Sequence, residues 1–199
     1  MAKRLFDIVL AGVALVLLAP LLALIALWVK MDSAGPVFFR QERVGRHGVP
    51  FRIHKFRTMT HSAVPQGPQI TIGADARITR AGQFLRRSKL DELPQLIDVL
   101  LGRMSFVGPR PEVPRYVAIY PPQLRDKVLS VRPGITDMAS LQFRNESELL
   151  AKASDPEREY REVVLPEKLA LQAKYVEQAG LATDVRLIAR TLKTLLGGH

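Results

Sequence analysis

The 199-residue sequence contains no cysteine and only four histidines. Without cysteine, disulfide bonds, thiolate nucleophiles and zinc sites built on thiolates are excluded. The histidines (His47, His54, His61 and His199) are too few and too scattered to favour a histidine-rich metal site. A bound metal ion would therefore need oxygen ligands, which is the coordination that suits magnesium.

Acidic residues are also scarce, because 19 aspartates and glutamates stand against 29 lysines and arginines, a formal net charge of +10. Such an excess is typical of proteins that bind nucleic acid or anionic membrane surfaces. One segment, residues 8–29, has no charged side chain in 22 positions. As a helix it would extend about 33 Å, enough to cross a hydrocarbon core. This segment, and an aromatic content of only 7%, argue against nucleic acid as a partner.

The apolar segment could be a secretory signal peptide, since the basic residues of "MAKR" precede it. It is too long for that, because the apolar part of a signal peptide has about 7–15 residues. The sequence "WVKMDSAG" at its end is also a poor cleavage site. We therefore predict a retained membrane segment over residues 1–32, followed by a second domain over residues 33–199.

Basic residues lie on both sides of the membrane segment, with Lys3 and Arg4 before it and Lys30 and Arg40 after it. The positive-inside rule keeps each basic flank in the cytoplasm, and one straight span cannot satisfy both. Pro20 lies near the middle, where it removes a backbone hydrogen bond and can kink a helix. A straight span with a tolerated proline is the alternative. The charge symmetry favours a re-entrant, proline-broken helix with both ends in the cytoplasm.

The rest of the chain predicts a mainly α-helical fold with one small β-hairpin, an α+β class. The stretch "PVFFRQERVGRHGVPFRIHKFRTM" alternates aromatic or β-branched residues with basic ones around a "GRHG" turn, which predicts two short strands. Residues 61–75 are rich in turn formers and predict a loop. Helical spacing follows at residues 78–102, 166–179 and 184–196. The last helix is amphipathic, so it either packs on the core or lies at the membrane interface.

The stretch "SKLDELPQL", residues 88–96, places Asp91 beside Glu92 in this basic chain. Helix capping alone could explain it, because Ser88 and Asp91 have capping spacing and acids are favoured in a first helical turn. Pro94 is tolerated only near a helix start, so the acid pair should lie at a helix N-terminus. Backbone amides there also attract anions. A divalent cation could then bridge the carboxylates and a phosphate.

Several cations are candidates for binding such a phosphate. Arg110 in "GPRPE" and Arg132 in "VRPGIT" are flanked by prolines, which suits a rigidly presented guanidinium and bidentate phosphate contact. The predicted hairpin carries six more cations against one acid, Glu42. A solvated basic face beside anionic lipid explains these equally well. The hairpin cations are Arg40, Arg43, Arg46, Arg52, Lys55 and Arg57.

Taken in order, the segments "KRLFDI", "FFRQERVGRHGVPFRIHKFRTM", "LRRSKLDELPQLIDVLLGRMSFVGPRPE" and "RPGIT" resemble the bacterial sugar transferases, specifically the small monotopic phosphoglycosyl transferases. The resemblance covers almost the whole chain. It implies a bacterial inner-membrane protein with a re-entrant helix and a catalytic domain facing the cytoplasm. The implied reaction is transfer of a phospho-sugar from a UDP-sugar to polyprenyl (undecaprenyl) phosphate, with release of UMP and with Mg²⁺. This is the first membrane step of glycoconjugate assembly, and a homodimer is left open.

The resemblance also implies roles for single residues. The adjacent Asp-Glu pair of the family is its catalytic dyad, which corresponds to Asp91 and Glu92. Asp91 would attack the β-phosphorus and form an aspartyl phospho-sugar, and both acids are candidate metal ligands. The candidate phosphate-binding residues are Lys55, Arg57, Arg86, Arg110 and Arg132.

Two positions depart from the family pattern. Ala19 precedes Pro20 where a serine is usual, which affects the expected helix break. Asp137 in "RPGITDMAS" stands where many members have glycine, and this variant resembles members that act on N-acetylated amino sugars. Composition alone leaves a second class of function open, a non-catalytic basic scaffold that binds anionic lipid. That alternative would leave "DELPQ" and "GPRPE" without an explanation.

Overall fold

The computed structural model describes residues 1–60, 73 and 75–197, and within them the chain is mostly helical. The predicted loop at residues 61–75 lies outside this part apart from Gly73 and Asp75. The helices are α1 (Ala2–Asp32), α2 (Arg80–Ser88), α3 (Gln95–Leu100), α4 (Pro114–Val117), α5 (Pro122–Leu129), α6 (Met138–Gln142), α7 (Glu146–Ala151), α8 (Pro156–Glu159), α9 (Leu165–Glu177) and α10 (Leu181–Leu196). The strands are β1 (Phe38–Val44), β2 (Pro50–Phe56), β3 (Ser105–Val107) and β4 (Gly134–Thr136).

The predicted hairpin is confirmed, because β1 pairs with β2 in antiparallel register, with Gln41 opposite Ile53. Gly48 has φ = 79° in the connecting turn, a left-handed conformation that favours glycine. The predicted class, mainly α with a small hairpin, is therefore confirmed. A second sheet, the parallel pair β3 and β4, was not predicted.

Helix α1 is continuous through Pro20. The helix is not interrupted at Pro20, and the predicted break and re-entrant course of this segment stay predictions. The inner face of α1 packs on the rest of the chain through Ala11, Ile25 and Val29, which are buried in two hydrophobic clusters. The division into residues 1–32 and 33–199 stays a prediction.

The amino end of α1 is fixed by polar contacts to distant parts of the chain. Lys3 is paired with the buried carboxylate of Asp184, at the start of α10, and donates to the carbonyl of Val107 at 3.0 Å. The buried carboxylate of Asp7 accepts hydrogen bonds from the hydroxyl of Ser105 at 3.1 Å and from the amide of Phe106 at 3.2 Å. The first two turns of α1 are therefore anchored to β3 and α10.

The carboxyl end of α1 is fixed as well. The guanidinium of Arg57 donates to the carbonyls of Val29 at 3.2 Å and Ser33 at 2.8 Å, which a helix end leaves without intrahelical partners. The carboxylate of Asp32 accepts from the amide of Ala81 at 3.0 Å, in the first turn of α2. Both ends of α1 are thus held by the same folded body.

The outer face of α1 is apolar and exposed along its whole length. Its most apolar 18-residue window has a mean hydropathy of 3.0, and only 11% of that window is buried. A continuous exposed apolar surface of this kind is typical of contact with lipid. The exposed side chains include Leu5, Val9, Val13, Val16, Leu17, Leu21, Leu24, Leu27, Trp28 and Met31.

Candidate active site

The acid pair lies in a single 3₁₀ turn, Leu90–Glu92, between α2 and α3. Lys89 caps the carboxyl end of α2. Its φ of 57° is left-handed and turns the chain sharply before the acids. The side chain of Leu90 packs against the cluster that contains Ile25 and Val29 of α1. The turn is therefore held directly against the membrane segment.

The carboxylate of Glu92 is paired with two cations from distant segments. Its Oε1 accepts from Lys55 Nζ at 2.9 Å, and Arg110 donates to both of its oxygens, with Nη1 to Oε2 at 3.1 Å. Burial alone would raise the pKa of Glu92, but the charges of Arg110 and Lys55 outweigh it and hold the pKa well below the ordinary value. Glu92 is thus a stable anion that holds two cations in place.

The carboxylate of Asp91 has a different environment, although it is the next residue. Asp91 is 8% exposed, and its Oδ1 atom has no hydrogen-bond partner among the described residues. Burial raises the pKa of Asp91 above its ordinary value, while the charges of Lys55 and Arg86 oppose the rise. Leaving a buried oxygen unpaired costs about 1–3 kcal/mol, so this atom is available for a ligand.

Lys55 is positioned by its own strand. In β2 the adjacent His54 donates its backbone amide to Asp98 Oδ2 at 2.8 Å, and its ring nitrogen lies 2.8 Å from Asp98 Oδ1. Asp98 is fully buried in α3, the helix that follows the acid pair. This contact ties β2 to α3 and so places Lys55 beside Glu92.

Arg86 reaches the site from α2, which packs unusually closely on the segment after β2. A Cβ on Gly82 would lie 2.1 Å from the carbonyl oxygen of Thr58, so only glycine permits this approach. Arg86 Nε donates to the hydroxyl of Thr58 at 2.8 Å. The charge of Arg86 acts on Asp91, so this cation lies near the acid pair, and its role in phosphate binding stays a prediction.

The loop that carries Arg110 is fixed by Asp137, whose role the sequence did not reveal. Asp137 is fully buried and its Oδ2 accepts from the backbone amide of Arg110 at 3.2 Å. The same carboxylate caps α6 by accepting from the amide of Ser140 at 2.6 Å, and it accepts from Gln172 Nε2 at 3.1 Å. Its position directly before a helix was the available signal, since aspartate is a favoured N-cap.

A second network supports the same loop and was also missed. Glu112 is buried, and its carboxylate accepts from the hydroxyl of Tyr160 at 2.7 Å. Lys168 Nζ lies 3.4 Å and Arg43 Nη1 3.7 Å from Glu112 oxygens. The only sequence signal was the acid at the end of "GPRPE".

The structure does not bring two of the predicted phosphate-binding residues to the acid pair. The hydrogen bonds of Arg57 go to the carboxyl end of α1 and to the carbonyls of Ala34 and Pro36. Arg132 donates to the carbonyl of Gly102 at 2.8 Å, and its charged neighbours are Arg4, Arg46 and Asp7. Their assignment to phosphate binding stays a prediction that this geometry does not support.

The acid pair is the predicted magnesium site. The described residues contain no group of three or more acidic or histidine side chains that could hold a metal ion. Magnesium is commonly bound by one or two carboxylates together with substrate phosphates, so such a group is not required. Both oxygens of Glu92 are paired with cations, whereas Oδ1 of Asp91 is free. Asp91 therefore has the carboxylate oxygen of the pair that is free to bind a ligand, and magnesium binding at Asp91 and Glu92 stays a prediction.

The site combines a buried carboxylate that has a free oxygen with nearby cations, and it is held against a long apolar helix. The chain belongs to the bacterial sugar transferase family, whose model matches residues 1–198. The membership agrees with the resemblance found in the sequence.

Particular relatives are similar over nearly the whole chain. The UDP-glucose:undecaprenyl-phosphate glucose-1-phosphate transferase of Caulobacter vibrioides is 36% identical over 199 residues, 98% of this chain and 69% of the relative. The UDP-N-acetylgalactosamine-undecaprenyl-phosphate N-acetylgalactosaminephosphotransferase of Aeromonas hydrophila is 35% identical over 98% of this chain. The exopolysaccharide production protein PSS of Rhizobium leguminosarum is 37% identical over 96% of this chain and 92% of its own length. The chain spans only 44% of the Aeromonas relative, and 39% of a glucose-1-phosphate transferase of Escherichia coli.

Proposed function

We propose that this protein transfers a phospho-sugar from a UDP-sugar to polyprenyl phosphate, giving polyprenyl-diphosphate-sugar and UMP. The observation that carries the proposal is the free, buried carboxylate oxygen of Asp91, near the cations Lys55 and Arg86 and next to Glu92, which binds Arg110. Relatives named as undecaprenyl-phosphate sugar-phosphate transferases support the same substrate class. A non-catalytic lipid-binding scaffold would not require this arrangement.

In the proposed mechanism the carboxylate of Asp91 attacks the β-phosphorus of the UDP-sugar. The bond from that phosphorus to the bridging oxygen breaks, UMP leaves with the bond's electron pair, and an aspartyl phospho-sugar remains. A phosphate oxygen of polyprenyl phosphate then attacks the same phosphorus, and the acyl phosphate bond breaks to restore the carboxylate. Two steps allow the donor and the acceptor to use one small site in turn.

The surrounding side chains have separate roles in these steps. Lys55 and Arg110 bind the non-bridging oxygens of the transferring phosphoryl group, where charge is spread in the transition state. Glu92 holds these two cations in position through its three short contacts. Arg86 provides a third cation, whose charge acts on Asp91.

We further propose that Mg²⁺ is held at the acid pair, Asp91 and Glu92, together with the phosphate oxygens of the bound donor. The ion would supply neutralising charge to the diphosphate. Chelation with EDTA should abolish UMP release, and added Mg²⁺ should restore it. Full activity after exhaustive chelation would contradict this part of the proposal.

The nucleophile is tested by mixing the protein with its UDP-sugar in the absence of acceptor. We expect UMP in an amount limited to about one per active site, and a phospho-sugar adduct on the peptide that contains Asp91. Asp91→Asn should abolish both signals, whereas Glu92→Gln should weaken them through misplaced cations. Intersecting double-reciprocal plots without any adduct would instead indicate direct attack by the acceptor in a ternary complex.

The sugar is a separate question, and relatives are named for both glucose and N-acetylgalactosamine. An N-acetylated amino sugar stays our proposal on the Asp137 resemblance, although the Asp137 carboxylate is occupied by Arg110, Ser140 and Gln172. A screen of UDP-sugars with undecaprenyl phosphate, read out as UMP, decides it. Activity with UDP-glucose alone would contradict the amino sugar.

We also propose the re-entrant topology, with both ends of α1 on the cytoplasmic side of the inner membrane. The amino end of α1 contacts the folded body through Lys3 and Asp184, and its carboxyl end does so through Val29 and Arg57. A helix that crossed the bilayer would place these two contacts on opposite sides of the membrane. Because the chain has no cysteine, single cysteines at positions 2 and 33 can be labelled cleanly in intact cells. Both should resist an impermeant reagent added outside. Labelling of one end only would show a true span.

Helix α10 is proposed to lie at the membrane interface. It exposes Leu181, Val185 and Leu192 along one side, next to the exposed Arg186 and Lys193. A tryptophan replacing Leu192, in a Trp28→Phe background, should be quenched by brominated lipid. Fluorescence unaffected by the brominated lipid would place this side of α10 in water.

A further inference from the structure

An exposed apolar stripe on α1 ends at an aromatic pair close to the acid pair. We call Leu17, Leu21 and Leu24 the leucine stripe, since their spacing of four and three residues puts them on one helix face. Trp28 continues this face, and its ring lies 5.5 Å from that of Phe84, centroid to centroid. We call Trp28 and Phe84 the aromatic rim, and the two side chains are 39% and 53% exposed.

The aromatic rim borders the elements that hold Asp91. Trp28 lies between Ile25 and Val29, the two buried residues of α1 whose cluster includes Leu90. Leu90 directly precedes Asp91 in the 3₁₀ turn. The rim is therefore fixed to the same packing unit as the acid pair, on its lipid-facing side.

Cations surround the rim on α2. Arg80 and Arg87 are exposed one turn before and one turn after Phe84, so they lie on the same side of this helix. Lys89, also exposed, follows at the end of α2, and its charge acts on Asp91. An apolar surface flanked by cations is complementary to a lipid that has one chain and a phosphate head.

We propose that the leucine stripe and the aromatic rim bind the first isoprene units of the acceptor, and that Lys89 guides the acceptor phosphate to Asp91. The proposal rests on the proposed function, since it assigns the acceptor's chain to a surface of the same site. Bulk lipid needs only apolar area, which the whole outer face of α1 provides. The aromatic rim differs because two elements, α1 and α2, bring its rings together, with their planes at an angle of 51°.

The test compares Phe84→Ala and Trp28→Ala with the control Leu5→Ala, which removes a side chain that is 65% exposed near the amino end of α1. Each is assayed in nanodiscs with varied UDP-sugar and varied undecaprenyl phosphate. For the rim variants we expect the KM for undecaprenyl phosphate to rise about fivefold to tenfold, as for the loss of part of one aromatic contact. The KM for UDP-sugar and the UMP released without acceptor should be unchanged. Phe84→Tyr keeps the aromatic ring, so its KM for the acceptor should be close to that of the wild-type protein.

Chain length gives a second measurement. Farnesyl phosphate keeps the first three isoprene units, so the rim variants should raise its KM by about the same factor as the KM for undecaprenyl phosphate. An unchanged KM for the acceptor in both rim variants would overturn the inference. An equal rise in Leu5→Ala, or a parallel loss of membrane association, would assign the rim to general lipid contact and also overturn it. A wild-type protein that transfers nothing to any polyprenyl phosphate would overturn the proposed function itself, and this inference with it.

Discussion

Asp91 and Glu92 are neighbours in the chain, but their carboxylates have opposite surroundings. Glu92 is paired with Lys55 and Arg110, and its pKa is lowered, whereas burial raises the pKa of Asp91. The two partners of Glu92 lie 37 and 18 residues away in sequence, so only the tertiary fold assigns them. At the scale of single residues, the effect of a buried polar atom depends mainly on whether it has a hydrogen-bond partner.

Gln95, one turn after the acid pair, gives a first prediction. It is 1% exposed, and neither polar atom of its side chain has a hydrogen-bond partner among the described residues. Replacing an unpaired buried amide by an apolar group of similar shape is nearly neutral or stabilising. Gln95→Met should therefore keep or raise the melting temperature, measured by thermal unfolding in detergent.

The matched control is Gln172→Met, since Gln172 is equally buried but donates to Asp137 at 3.1 Å. It should lose about 1–3 kcal/mol of stability. A loss of the same size in Gln95→Met would reveal a partner for the Gln95 amide, such as an ordered water.

Glu112 gives a prediction about pH. Burial would raise its pKa, but the charges of Lys168 and Arg43 outweigh burial, and the pKa is lowered. A carboxylate with a lowered pKa contributes stability above its unfolded pKa of about 4.3, and that contribution is lost as the pH falls through the folded pKa. Glu112→Gln should cost roughly 3–5 kcal/mol at pH 7, as for one partner of a buried ion pair.

The measurement is the melting temperature of both proteins as a function of pH. The difference between Glu112→Gln and wild type should be constant near neutrality and shrink below about pH 4. A difference that grows on acidification would contradict the assigned direction of the pKa.

At the scale of elements, α1 is unusual because its carboxyl end is completed by an arginine from a strand end. Arg57 donates to the carbonyls of Val29, Ser33, Ala34 and Pro36. Helix ends leave carbonyls without partners, and a cation there also interacts favourably with the helix dipole. This makes Arg57 a structural residue in the fold.

We therefore expect Arg57→Gln to lower the melting temperature by several degrees while the KM for UDP-sugar stays within about twofold of wild type. The matched comparison is Arg110→Lys, which keeps the charge but loses the bidentate contact with Glu92 and should reduce kcat/KM at least about tenfold. Unfolding and steady-state kinetics measure the two effects. An Arg57→Gln protein of normal stability with a strongly raised KM would return Arg57 to the phosphate site.

Elements with a clear sequence pattern were predicted well. The hairpin followed from alternation, and the helix predicted over residues 166–179 is α9, Leu165–Glu177. The helix predicted over residues 184–196 begins earlier, at Leu181, because Gly180 is its N-cap and the hydroxyl of Thr183 bonds back to Gln178. The parallel pair β3 and β4 has three residues in each strand, too few to show a pattern. Its pairing depends on two glycines, Gly108 and Gly134, in direct backbone contact.

At the scale of the whole molecule, the membrane segment is part of the core. Helix α1 contributes Ala11, Ile25 and Val29 to two of the hydrophobic clusters of the described residues. Lys3 of α1 pairs with the buried Asp184, and Asp32 of α1 accepts a hydrogen bond from the first turn of α2. The sequence predicted the membrane segment from its composition, but its packing against distant residues could not be seen there.

We expect that residues 33–199, produced without α1, will not form a stable soluble domain. Removal of α1 would expose Phe56 and Leu85, and it would take Lys3 from the buried Asp184 and the carbonyl of Val29 from Arg57. Size-exclusion chromatography and a thermal scan would show aggregates without a cooperative transition. A monodisperse fragment that melts cooperatively would show that the division at residue 32 is a true domain boundary.

The pairing of Glu92 with Lys55 and Arg110 also determines how strongly free anions inhibit the protein. The carboxylate partly neutralises both cations at a high effective concentration, because the fold holds it next to them. A free phosphate or sulfate ion has few contacts with which to compete for these cations, whereas a diphosphate can bind both of them and add further contacts while Glu92 stays in place. Inorganic phosphate at millimolar levels should therefore be a poor inhibitor of the wild-type protein. Replacing this carboxylate in Glu92→Gln should make the protein markedly more sensitive to inhibition by inorganic phosphate.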